Sequence, residues 1–243
     1  MKDKIKRLLK AITPIIIKRI FEQDIKQRYQ AKYEYSSLSY AQEGEDLILQ
    51  RIFENKEKGF FIDVGAHHPK RFSNTYLFYK KGWTGINIDP IPGVMTKFNE
   101  IRPNDINLEI GICDKEEVLT YYIFNEPALN TFSEVEALKK QGLPNYKIIQ
   151  QKKIKVLRLE TILDKYLAQN QEIDFLSIDV EGLDMQVLKS NNWDKYRPTI
   201  VLVESLDKNK VIPTYMKEFM DTVNYTFFAK TFNTIFFIKK ENT

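Results

Sequence analysis

The sequence predicts an α/β fold: a mostly parallel seven-stranded sheet with helices on both faces and a C-terminal antiparallel hairpin. Three observations carry this. From residue 41 onward, short apolar runs alternate with segments of helical periodicity. Most of the short runs are continuously apolar, as strands buried on both faces are. The chain then closes on two alternating runs separated by Thr231–Asn233, the pattern of a hairpin.

The elements follow in order. AQEGEDLILQRIF (41–53) reads as a helix, with Leu47, Ile48, Ile52 and Phe53 on one stripe. GFFIDV (59–64) is an apolar strand with Gly59 at its start and Gly65 beyond its end. SNTYLFYKKGW (73–83) opens on a Ser/Asn cap signal and meets its stop at Gly82, so it is a helix. TGINID (84–89) is strand, PGVMTKFNEI helix and DINLEIGIC (105–113) strand, followed by EVLTYYIF as an extra strand. Residues 125–152 form an irregular excursion with one short helix, and they are expected to face the substrate. Strand KIKVLRL, helix ETILDKYLAQ, strand DFLSIDV (174–180), helix LDMQVLKSN and strand TIVLVES (199–205) come next, with a last helix around 214–223.

Length and composition set the limits. The 243 residues suit one large domain with an appendage, and that size holds a core without staples. The single cysteine, Cys113, excludes an intramolecular disulfide and any cysteine-based zinc or iron–sulfur site. The net charge of +4 divides unevenly. Residues 1–32 hold ten basic and three acidic side chains, leaving 27 basic against 30 acidic in residues 33–243. That mildly acidic body offers no general basic face, so nucleic acid is not an expected partner. In the basic segment, Ile5, Leu8, Leu9, Ile12, Ile15 and Ile16 recur at helical spacing. It lacks a cleavage site and falls short of the ~20 apolar residues a membrane span needs. Three readings stand for residues 1–30: a helix covering its own domain, one lying on an anionic membrane surface, or one packing on a partner protein. The expected location is cytoplasmic, with any membrane contact peripheral and on the inner face.

The strand ends carry the chemistry, because open α/β sheets bind ligands beyond the carboxyl ends of their strands. The first strand runs into Asp63-Val64-Gly65-Ala66-His67-His68-Pro69. A dinucleotide site wants G-x-G-x-x-G, and only Gly65 is here, so no phosphate cradle is built. An acidic residue beside one tight glycine turn suits a cationic ligand without phosphate, such as S-adenosylmethionine (SAM). Asp89, 26 residues after Asp63, can accept from ribose hydroxyls, and Asp114 from an adenine amino group. Asp179 and Glu181 sit two apart at the end of DFLSIDV and are expected to project together, with Glu204 ending the next strand. Carboxylates leaving apolar strands are costly unless paired, hydrated or bound to metal. His67 and His68, the two histidines of the chain, join them at the same sheet edge.

SYAQEGEDLIL, GFFIDVGAHHPKRFSNTYLFYKKGWTGINIDPIPG, ALNTFS and DFLSIDVEGLDMQVLKSNNWDKYRPTIVLVE together resemble the FkbM-type family of SAM-dependent methyltransferases, over roughly residues 38–238. The resemblance implies a Rossmann-like class I methyltransferase fold. It also implies an O-methyltransferase acting on a sugar hydroxyl: a nucleotide-activated sugar, a surface polysaccharide unit or a glycosylated natural product. It places Gln42, Glu43 and Asp46 on the cofactor side, with Asp63, Gly65 and Asp89 at cofactor-binding strand ends; Ala66, Asn74 and Asp114 are expected to complete the cofactor site. Ser73, Asn74 and Thr75 match the family's S-N-T helix start, and Asp179 and Glu181 its I-D-V-E-G block. A sugar hydroxyl is a weak nucleophile at neutral pH. It therefore calls either for a base among His67, His68, Asp179 and Glu204, or for Mg²⁺ or Mn²⁺ held by Asp179, Glu204 and His68. The alternative is a protein that puts the same fold to another use, either an NAD-dependent oxidoreductase or a non-catalytic nucleotide-binding module.

Overall fold

The computed structural model describes residues 22–23, 34–205 and 212–241. The expected amphipathic helix over residues 1–32, and its membrane or partner contact, lie outside these residues apart from Glu22 and Gln23. The chain divides at residue 38, and the second unit, 39–243, contains the whole of the fold described here.

Its main sheet has seven strands: β1 (Phe60–Val64), β2 (Thr84–Ile88), β3 (Ile106–Leu108), β7 (Phe175–Ile178), β8 (Ile200–Glu204), β9 (Tyr225–Lys230) and β10 (Thr234–Lys239). Their order is β3-β2-β1-β7-β8-β10-β9. The first five strands run parallel, and β10 lies antiparallel to both β8 and β9. The expected architecture is therefore present.

Each central strand buries both faces, and the two faces feed different cores. Ile62, Val64, Leu176, Ile178, Val201 and Val203 pack on one side against α5 (Leu159–Tyr166), α6 (Asp184–Ser190) and α7 (Thr214–Thr222). Phe61, Phe175, Ile200, Leu202 and Phe236 pack on the other with α1 (Glu45–Ile52), α2 (Tyr76–Lys80), Phe78 and Trp83. One further helix, α3 (Val94–Ile101), covers Ala66 through Met95 and Phe98. At ~25 cal/mol per Å² of apolar surface, these two cores are the main favourable term in the fold.

Two sequence readings need correction. The run 105–113 is not one strand. Ile106–Leu108 pairs with β2, whereas β4 (Gly111–Ile112) leaves for a second sheet. That sheet also holds β5 (Glu117–Phe124) and β6 (Ile148–Leu157), so the strand expected as KIKVLRL begins five residues earlier and takes in the end of the excursion. The change of sheet falls inside a run that stays largely apolar on both sides, and periodicity does not register it. Between β5 and β6 lie a 3₁₀ turn, Pro127–Leu129, and α4 (Glu134–Gln141).

Candidate active site

β1 and β7 are neighbours in the sheet, but the chain leaves β1 toward β2 on one side and β7 toward β8 on the other. Their carboxyl ends thus flank a topological switch point, where such sheets form their crevice. Gly65, just past β1, takes φ 87°. A Cβ there would lie 1.7 Å from the Asp179 carbonyl oxygen, so the turns after β1 and β7 touch, and only glycine permits it. A cavity of about 320 Å³ opens beside this contact. Gly65, His67, Asp89, Asp179, Glu181 and Glu204 line it from the sheet. The excursion supplies another wall through Glu126–Asn130, Phe132 and Tyr146.

Asp179, Glu181 and Glu204 converge: one carboxylate oxygen from each lies within 4.8 Å of the others. Strand alternation is not the cause. β7 ends at Ile178, and the backbone turns sharply, with φ 56° at Glu181 and 109° at Gly182. Asp184 holds that turn by accepting from the backbone N–H of Val180 (3.2 Å) and of Gly182 (3.1 Å). Burial pushes the Asp184 carboxyl up to about 7. Glu181 accepts from Lys140 Nζ at 2.5 Å, which partly offsets a burial that raises its pKa. Among the described residues, no cation pairs with Asp179 or Glu204 in this way. Burial raises both far above the ordinary carboxylate range, and their mutual proximity adds to it for Glu204. Asp179 keeps accessible surface because it faces the cavity, while protein encloses its other sides. Two carboxyls so placed favour sharing one proton over ionising together.

The two histidines part company. His67 stands at φ 51° and lines the cavity, stacked on Phe72 (6.3 Å between centroids), and neither ring nitrogen has a partner. Burial, with Arg71 beside it, lowers its pKa to about 4, so the ring is neutral. His68 does not join the carboxylates as expected for a metal ligand. Its Nδ1 accepts from the backbone N–H of Lys70 (3.1 Å) and of Arg71 (3.0 Å), which turns the ring into a loop brace.

Residues 63–227 match the family model described as the methyltransferase FkbM domain. The chain belongs to the FkbM methyltransferase family. Among solved structures, a TehB-like SAM-dependent methyltransferase from Corynebacterium glutamicum is similar with a TM-score of 0.38 and 10% identity, over 92% of this chain and 100% of that one. No curated protein matches the chain. Family membership makes SAM the expected cofactor and sets aside the NAD-dependent alternative.

The residues at the FkbM site fit a ligand of that kind. Asp89 accepts the His67 N–H (2.7 Å) and the Ile91 N–H (2.8 Å), one on each oxygen, which leaves lone pairs on both for ribose hydroxyls. Burial raises Asp89 to about 6 despite those two donors. Asn130, only 6% exposed, has its Oδ1 fixed by the Phe124 N–H (2.8 Å), and its Nδ2 makes no bond. A buried amide left unpaired on a cavity wall is a donor awaiting an acceptor. Gln42, Gly65, Asp89 and Asn130, all on the cavity wall, would hold the cofactor, whose bound form would present a methyl group on a sulfonium.

Other expected cofactor residues are used differently. Asp63 does not line the cavity: it accepts from Thr75 Oγ1 (2.8 Å) inside the sheet-helix layer. Burial raises its pKa, with Arg102 opposing. Ser73 Oγ accepts from the Tyr76 N–H (3.1 Å), and Asn74 Nδ2 donates to Ser177 Oγ (3.0 Å). Ala66 packs under Met95 and Phe98. Asp114 lies off the cavity wall as well, although Ile112, in the strand before it, lines the cavity. Asp46 is buried and accepts from Ser39 Oγ (2.6 Å) and the Tyr40 N–H (2.7 Å). Glu43 grips the terminal hairpin, accepting from both the backbone N–H and Nδ2 of Asn233 at 2.8 Å. Glu43→Ala is therefore expected to cost about 1–3 kcal/mol in unfolding free energy. Binding of S-adenosylhomocysteine should stay within a few-fold, as calorimetry and thermal melts would show.

Sequence reasoning also missed Tyr121, Asn130 and Arg102. Tyr121 and Asn130 come from the second sheet and its excursion, which no strand-end argument reaches. Arg102 follows α3 in what reads as a loop, yet it is wholly buried.

Proposed function

We propose that this chain is an O-methyltransferase that moves the methyl group of SAM to a hydroxyl of a sugar-containing acceptor, with Asp179 as the base. The observation that carries the reading is the meeting of Asp179 and Glu204 on the cavity wall at the sheet's switch point. A carboxylate is ordinarily too weak a base for an alcohol, and a raised pKa brings it nearer the operating pH. Glu204 holds the proton that the pair shares, leaving Asp179, open to the cavity, to orient the acceptor hydroxyl and take its proton. Phe132, Tyr146 and Phe72 line the same space and give it aromatic surface suited to the C–H face of a sugar. Holding the two reactants in line can be worth ~7–11 kcal/mol.

A second reading rests on the 4.8 Å convergence: Mg²⁺ or Mn²⁺ held by Asp179, Glu181 and Glu204, which are hard oxygen donors. The Lys140 ion pair on Glu181 weighs against it. One experiment addresses both. Free and nucleotide-activated sugars are screened for methyl acceptance from SAM, with EDTA and with added Mg²⁺ or Mn²⁺. The base reading expects a methylated hydroxyl and turnover that EDTA leaves intact. Loss of turnover in EDTA, restored by either ion, would favour the metal. Transfer to amines or thiols but to no sugar would sink the O-methylation reading.

A further inference from the structure

Lys70 and Arg71 take no part in the methyl transfer described above. They belong to a cationic stretch in a body whose net charge is acidic. Lys70, Arg71 and Lys97 all stand close enough to His68 to disfavour its protonation. The loop is held in shape at both ends, by φ 51° at His67 and 56° at Phe72 and by the His68 brace on the Lys70 and Arg71 amides. Arg71 lines the cavity with its guanidinium 4.2 Å from the centre of the Phe72 ring. Across the cavity, Arg71 Nη1 donates to Glu126 Oε1 at 3.0 Å. The two side chains keep 46% and 34% of their surface, so the pair sits at the mouth, where ion pairs contribute little stability and exchange readily.

We propose that Arg71, with Lys70 and Lys97 nearby, binds a phosphate group on the acceptor, and that Glu126 holds the guanidinium in position until the phosphate displaces it. The inference rests on the methyl-transfer reading and narrows its acceptor to a phosphorylated or nucleotide-activated sugar. The guanidinium has five donors, of which the pair uses one, and its fork matches phosphate oxygens two at a time. A phosphomonoester carries about −1.5 to −2 at pH 7, and the diphosphate of an activated sugar about −2 over its two groups, so either outweighs the single charge of Glu126 and wins the exchange while Glu126 swings to water.

Calorimetry on the full-length chain tests this, first with S-adenosylhomocysteine and then, with and without it, with inorganic pyrophosphate, UDP and uridine. The expected result is binding of pyrophosphate and UDP but not uridine. Arg71→Ala should weaken both at least tenfold, and Glu126→Gln should tighten both at least threefold. Equal affinities would assign the site to phosphate alone, and tighter UDP to a nucleotide; each supports the proposal. It is overturned if neither anion binds the native chain, if Arg71→Ala binds unchanged, or if Glu126→Gln binds no tighter. If S-adenosylhomocysteine fails to bind while the anions behave as described, the methyl-transfer reading fails and the phosphate site stands.

Discussion

Asp179→Asn is expected to lower kcat by about 10²–10⁴-fold, the usual worth of a general base, while the melting temperature rises. The two effects have one origin. In the folded state, burial and neighbouring carboxylates keep the Asp179–Glu204 pair protonated above the ordinary range. In the unfolded chain both groups ionise near pH 4. Folding therefore takes up a proton, and stability falls as pH rises from about 4 toward the raised folded values. Asparagine removes the part of that dependence that Asp179 contributes and eases the part that Glu204 keeps. Because Asp179 retains access to water through the cavity, the gain is put at only ~1 kcal/mol, or about 2–4 °C. It should be larger at pH 8 than at pH 5. Binding of S-adenosylhomocysteine should stay within a few-fold, since the amide keeps the shape of the carboxylate. Melting curves at both pH values and turnover with the acceptor from the sugar screen check this. A variant as active as the native enzyme, or one less stable at pH 8, would remove Asp179 from the role.

Arg102→Met should destabilise the fold by about 3–5 kcal/mol, the range for stripping one partner from a buried ion pair. Arg102 is fully buried, and its Nε donates to Asp105 Oδ2 at 2.8 Å. Its Nη1 donates to Thr75 Oγ1 at 2.9 Å, and Thr75 in turn holds Asp63. The ring faces of Phe61, Tyr79 and Phe98 surround the guanidinium at 5.2–5.7 Å. Methionine fills much of that space but leaves Asp105 and Asp63 without their cation. Both pKa values are already raised by burial, and Arg102 is what opposes the rise. The loss should therefore be smaller at pH 5, where the carboxyls take up protons, than at pH 8. A drop in melting temperature of about 6–20 °C is the expected reading. Adding Asp105→Asn should recover part of it. No recovery in the double variant would show that packing, and not charge, governs the site.

The sequence carried the sheet well, because GFFIDV, TGINID, DFLSIDV and TIVLVES are short, apolar and bounded by turn residues, and burial on both faces leaves them little choice. It also identified the carboxylates at strand ends, since Asp179, Glu181 and Glu204 follow apolar runs that have no other use for charge. The roles within the A-Q-E-G-E-D and S-N-T blocks were less legible. Glu43 and Asp46 make their bonds to Asn233, Ser39 and Tyr40, and Asp63 makes its bond to Thr75. Such pairings depend on which loops meet in space, and an acidic residue next to a glycine turn reads the same whether it faces a ligand or a neighbouring amide. Arg102 was hidden for a related reason: Asp105 lies three positions on, but Thr75, which it also bonds, and Asp63 behind it lie 27 and 39 positions away.

The departure of the chain from the main sheet after Leu108 has a consequence for how this enzyme can diversify. The cavity wall formed by Glu126–Asn130, Phe132 and Tyr146 hangs from β5 and β6, which pair with each other and, through β6, with Gly111–Ile112 but with no strand of the seven. Residues can be gained or lost between Phe124 and Ile148 without shifting the register of any strand that carries Gly65, Asp89, Asp179 or Glu204. Apart from Asn130 and Lys140, which reach back to the site, that wall and the carboxylate-bearing strand ends thereby rest on separate hydrogen-bond ladders. One can drift, segment by segment, while the other stays still.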